Sequence, residues 1–340
     1  MTSTKQNQVT WHRERTERLP LVSPGDVTYV LAALFLSGMQ MLPASQRVQV
    51  VTRVSPFLGR FLSALNVHST KTIRQNMNVL LGADRSPDAV EVDLRRLLSL
   101  IAWNALMINS LPVLSREQIA HLVPIDGISC LDDCLNDSRP VLIWSCHFGV
   151  HPLIIAAMLH ALDYPIHAVT HVRQMPVAAS AFQRRYLQRL ARIGDQFPVI
   201  DPREGVQRAM LDVLRNGECL YITPDYMVTT DEVQSQSAFL VPIDLLNRRA
   251  FLQTGGLRLA KRLKAHVVTV FSNQLDGDER RLVVEPFDLP TSGLTPDELQ
   301  RDIQACMQRL EAHVLVHPYL WWDLKRFDLV ERLRAIPTTG

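Results

Sequence analysis

The sequence predicts an α/β protein in which a central mixed sheet with flanking helices is preceded by an N-terminal helical region. Three observations carry this. At 340 residues and 47% hydrophobic content, the chain is able to bury a large core and is not disordered. From about 44 to 110, apolar residues recur at three- and four-residue spacing, as in RVQVVTRVSPFLGRFLSAL and AVEVDLRRLLSLIAWNALMINSL, the period of packed helices. After Pro112 the rhythm becomes short apolar runs alternating with amphipathic segments, the pattern of a layered α/β structure.

The change of rhythm near 110–120 divides the chain into an N-terminal helical, membrane-associating region, 1–112, and an α/β region, 113–340, expected to form one continuous unit. Strands are expected at 139–146 (RPVLIWSC), 166–171 (IHAVTH), 197–200 (FPVI), 218–223 (ECLYIT), 265–272 (AHVVTVFS) and 281–287 (RLVVEPF). Helices fill the gaps at 152–162, 176–192, 203–215, 252–263 and 295–315. In SCHFGVHPLIIAAMLHAL a loop over 147–151 leads into Pro152 at the first helical position, where a missing N–H costs little and the fixed φ suits a helix.

Composition narrows function. The 36 Lys+Arg and 34 Asp+Glu leave a net charge of +2, so no overall basic field argues for nucleic acid. Five irregularly spaced cysteines favour reduced thiols over a disulfide framework. Cys130 and Cys134 could sit one helical turn apart, yet no second pair completes a zinc pattern, and no metal is expected. The N-terminus lacks the features of a secretory signal. Residues 27–42, VTYVLAALFLSGMQML, carry no charge; the run is either a buried core helix or a shallow membrane anchor, being marginal in length for a full span. Arg13, Arg15, Arg18, Arg47, Arg53 and Arg60 flank it, which suits anionic headgroups.

Chemistry is sought at strand ends, because ligands of open α/β sheets bind beyond the carboxyl ends of the strands. His147 follows the first strand, His171 and Arg173 the second, and Thr223, Pro224, Asp225 and Tyr226 a later one. If these strands are neighbours, a base, a cation and a carboxylate converge. The plainer readings are a structural histidine, a solvated loop charge and a turn residue after Pro224. His147 and His151 have metal-pair spacing, but Gly149 and Pro152 argue against a helix there. Cys146 is a poor nucleophile for His147, since adjacent strand residues face opposite ways.

Taken in order, strand, H-F-G, helix, strand, V-R, helix, R-x-G-x-x-x-x-x-I, helix, L-R-N-G-E, strand and P-D-Y resemble the bacterial lipid A biosynthesis acyltransferases, the lauroyl and myristoyl transferases of the lysophospholipid acyltransferase superfamily. Ile73, Arg74 and Asn76 in TIRQNMNVLL look like the family's I-R-x-N segment, TGGLRLAKRLKAHVVTVF like its late helix and strand, and HPYLWWDLKRF like its closing segment; the similarity runs over about 25–328. The resemblance implies a glycerolipid acyltransferase-like fold and transfer of an acyl chain from acyl carrier protein or coenzyme A to a hydroxyl or amine of an amphipathic acceptor, without a cofactor, at the cytoplasmic face of the inner membrane. It implies that His147 is the base, with Asp225 as the second catalytic residue and Phe148, Gly149, Arg173 and Tyr226 binding substrate. Three positions depart from the pattern: Pro152 replaces the family's acidic residue, Tyr226 stands where Gln is usual, and Met175 falls near a usual Asn. The loss at Pro152 leaves three readings: a working acyltransferase, a degenerate relative that binds acyl carrier protein or an acyl chain, or a thioester hydrolase using His147 with Asp225.

Overall fold

The computed structural model describes residues 37–39, 41–64, 68–82, 85–170, 195–201, 206–225, 227–228, 240–274 and 280–335. After helical residues at 37–39 come three helices, α1 (Ala44–Ala64), α2 (His68–Leu81) and α3 (Pro87–Ser110). Ser86 caps α3 by accepting from the Ala89 N–H, with Pro87 at the first helical position. Then come α4 (Arg116–Ala120), β1 (Ile125–Asp126), α5 (Ser129–Asn136), β2 (Val141–Ser145), α6 (Pro152–Ala161), β3 (Ile166–Val169), β4 (Val199–Ile200), α7 (Val206–Arg215) and β5 (Cys219–Ile222). The chain continues through β6 (Leu240–Leu245), β7 (Arg248–Gln253), α8 (Gly255–Arg262), β8 (His266–Gln274), β9 (Arg280–Pro286), α9 (Pro296–Val316), α10 (Leu329–Arg332) and β10 (Arg334–Ala335).

The main sheet has seven strands in the order β1-β9-β8-β2-β5-β3-β4. It is mixed: β8 and β9 run antiparallel, and the other pairings are parallel. Its central strand β2 is buried throughout, because helices cover both faces. Leu142 and Trp144 face one core, with α2, α7, α8, α9 and the chain's closing segment; Val141 and Ile143 face the other, with α1, α4, α5 and α6. Helix α3 serves both, through Leu94 and Leu97 on one side and Trp103 and Met107 on the other. With the short turn after it, α3 is long and apolar enough to cross a membrane, but half of that window is buried inside the protein.

All six expected strands form within the described residues, each trimmed by a residue or two or, at β8 and β9, shifted slightly. The helix expected at 176–192 lies outside the described residues. Sequence reading misses a second, three-stranded antiparallel sheet, β10-β7-β6, and the residues at 252–253 expected to begin a helix instead finish β7. The β6–β7 turn runs through Leu246 (φ 52°) and Asn247 (φ 56°), both left-handed, as a tight hairpin requires. Leucine is a poor marker of that conformation. Here its side chain is buried and its N–H donates to Glu311 Oε1 at 2.8 Å.

Candidate active site

β2 and β5 are parallel neighbours, with Trp144 paired to Ile222. His147 and Asp225 each lie three residues beyond that pair, so the register delivers both to the same carboxyl edge. There His147 Nδ1 stands 3.0 Å from Asp225 Oδ1, and the His147 backbone N–H donates to Asp225 Oδ2 at 2.5 Å. The Asp225 side chain is fully buried, while that of His147 is 33% exposed. A carboxylate that receives Nδ1–H leaves Nε2 as the basic nitrogen of neutral His147.

The loop that carries His147 is held at every step. Phe148 N–H donates to the Cys146 carbonyl at 2.7 Å, and the His147 carbonyl accepts from Trp322 N–H at 2.9 Å. Gly149 N–H donates to the Leu320 carbonyl at 2.7 Å, and the Gly149 carbonyl receives Asn104 Nδ2 at 2.9 Å and Trp322 Nε1 at 3.0 Å. Gly149 has φ +71°, and a Cβ there would stand 2.2 Å from the Ser272 Cβ, so glycine is required both for conformation and for space. Asn76 Nδ2 in turn donates to the carbonyls of Leu324 and Arg326 at 2.9 and 2.7 Å, locking the closing segment.

Pro152 opens α6, as its position in the sequence suggests. His151 is the N-cap, its Nδ1 accepting from Leu153 N–H at 3.1 Å. The His151 and His147 rings meet edge to face with centroids 5.7 Å apart. Burial, then the neighbouring His147 and Lys325, hold His151 well below the usual histidine range, so it stays neutral. Burial also works to lower His147, but the charge and hydrogen bond of Asp225 prevail and raise it. Cys146 is buried and its thiol is pushed well above the usual range, chiefly by desolvation, which removes it as a nucleophile.

A cleft beside the pair is lined by His147, His151, Pro152, Tyr221, Thr170 and Thr223, among others. Thr170, just after β3, brings a third strand end to it. Phe148 is buried in the core against His313, and neither it nor Gly149 lines the cleft. Arg173 and Tyr226 lie outside the described residues, as do His171 and Met175. Two contributors escaped sequence reading. Asn104, fully buried, is an isolated amide within the apolar run LIAWNALM, and that isolation is the signal the sequence held; Asp323 lies in the recognised closing segment without an assigned role.

A buried carboxylate holding a histidine at the carboxyl edge of a largely parallel sheet is the equipment of a general-base enzyme. The family comparison makes the class specific. The family model described as "Bacterial lipid A biosynthesis acyltransferase" matches residues 20–327, and the chain belongs to that family. No curated protein matches the sequence significantly.

Proposed function

We propose that this protein moves a fatty acyl chain from an acyl carrier protein or coenzyme A thioester to a hydroxyl or amine of a lipid-like acceptor, with His147 as base and Asp225 as its orienting carboxylate. The 3.0 Å His147–Asp225 contact carries the reading, because it supplies the acid that Pro152 removes from the family pattern. His147 Nε2 takes the proton of the acceptor O–H or N–H as that atom bonds to the thioester carbonyl carbon. Asp225 stabilises the resulting imidazolium. When the C–S bond breaks, the proton returns from Nε2 to the leaving thiolate. No cofactor enters this scheme.

Action at the cytoplasmic face of the inner membrane is part of the proposal. Beyond the run at 27–42, the outward face of α1 supports it: Arg53, Phe57, Arg60 and Phe61 share one exposed side of a helix that contains no acidic residue. Phe57 and Phe61 are 67% and 58% exposed, which suits insertion into a headgroup layer bearing negative charge. The test is acyl-thioester turnover with and without candidate acceptors. Acylated acceptor is the expected product. Free fatty acid alone would indicate a hydrolase, and donor binding without turnover a degenerate relative.

A further inference from the structure

We propose that Asp323 is a positioning residue of the His147–Asp225 pair: a second buried carboxylate, out of contact with substrate, that helps hold positive charge on the imidazole while it carries the acceptor's proton. The role rests on the acyl-transfer reading above, but the electrostatics can be measured without it. Asp323 lies in a short turn, Trp322–Lys325, tied to the site by the Trp322 N–H to His147 carbonyl hydrogen bond. Its side chain is only 9% exposed. Oδ2 has no hydrogen-bond partner, while Oδ1 forms an ion pair with Arg326 Nη1 at 3.7 Å. A buried carboxylate with one oxygen left without a hydrogen bond is costly and calls for a functional account.

Its surroundings supply one. Asp225, from the loop after β5, opposes its ionisation, while His147, from the loop after β2, favours it. Arg326, just after its own turn, and Lys325 within it favour the anion, and the buried Cys306 of α9 and Cys146 just after β2 have thiols that are held protonated. His151, the cap of α6, is neutral. Lys325 lies over the Trp322 ring, 3.9 Å from its centroid, and burial brings its ammonium down to about 8. Burial first, then Asp225, lifts Asp323 to about 6, so near neutral pH two carboxylates serve a single imidazole. Both raise the basicity of His147. Asp323 lines no part of the cleft, so it acts through His147 and not on the acyl or acceptor group.

The experiment is a pH titration of His147 by ¹⁵N NMR in wild type, Asp323→Asn and Asp323→Glu, paired with the pH profile of kcat/KM. Removing the charge should lower the His147 midpoint by about 0.5 to 1 pH unit. The acid limb of kcat/KM should move to lower pH with it, and the plateau should fall roughly 3- to 10-fold as the base weakens. Asp323→Glu should restore both. A folded Asp323→Asn protein with unchanged His147 midpoint and acid limb overturns the proposal, whatever its effect on Tm. Should that variant fail to fold, the wild-type curve decides: His147 should show a second inflection as the neighbouring carboxyl titrates, and a single-step curve overturns the proposal. The NMR arm uses no acyl donor, so it is judged separately from whether transfer occurs.

Discussion

Asp225→Asn isolates the carboxylate from the shape of the site. Asp225 is fully buried and accepts twice from one residue, the His147 backbone N–H at 2.5 Å and Nδ1 at 3.0 Å. An asparagine offers one oxygen and one NH₂. With its oxygen on the backbone N–H, its NH₂ faces Nδ1 and forces the proton onto Nε2, the nitrogen that has to accept one. With its oxygen on Nδ1–H, its NH₂ meets the backbone N–H donor to donor, costing about 1–3 kcal/mol as a buried unmade hydrogen bond. Either way the imidazolium loses its counter-charge. The rate should fall on the order of 10²- to 10⁴-fold, the upper figure being the loss in a hydrolytic triad on the same substitution. Single-turnover acyl transfer measures the rate, ¹⁵N shifts of His147 report the tautomer, and thermal melting checks the fold. A folded variant within threefold of wild-type rate, with Nδ1 still protonated, would refute the role given to Asp225.

Three further outcomes follow. Pro152→Glu removes a buried helix starter and places a carboxylate in the cleft wall, so it should cost about 1–3 kcal/mol of stability without raising turnover; a faster enzyme, together with an unaffected Asp225→Asn, would mean that the site is an impaired form of the family arrangement. Phe57→Ser with Phe61→Ser should weaken flotation with anionic vesicles on the order of 10²-fold or more, at about 2 kcal/mol per phenylalanine, and unchanged partitioning would remove α1 from the membrane contact. Asp323 has its folded-state value raised to about 6 from 3.8, so wild type loses stability as pH rises through that window. Asp323→Asn should therefore melt higher than wild type at pH 8 and nearly alike at pH 4; equal melting at both would show that the carboxylate is not strained by burial.

Much of the main sheet was legible because its strands are buried on both faces and read as short apolar runs between turn signals. The same runs placed His147 and Asp225 at strand ends, and the parallel register of β2 with β5 supplied the step the sequence lacks, that they meet side by side. The hairpin at 240–253 was not legible, since its turn is made by Leu246 and Asn247 and not by a glycine pair. β1 has two residues, too few for any periodicity. Asn76 was visible only through resemblance; its task, holding the carbonyls of Leu324 and Arg326 across 248 and 250 positions, is a tertiary fact. Asp323 looked like one more polar residue beside two tryptophans, because an unpaired buried oxygen is recognisable only when its surroundings are known.

The most direct measurement is mass-spectrometric detection of acylated acceptor from purified wild-type and His147→Ala protein, each given acyl carrier protein and coenzyme A thioesters with amphipathic alcohols and amines. Wild type should yield the ester or amide with release of the thiol, and His147→Ala should reduce it to background while remaining folded. Product formed at an undiminished rate by His147→Ala would contradict the assignment of the base, and the absence of any acylated product from wild type across both donors would contradict acyl transfer itself.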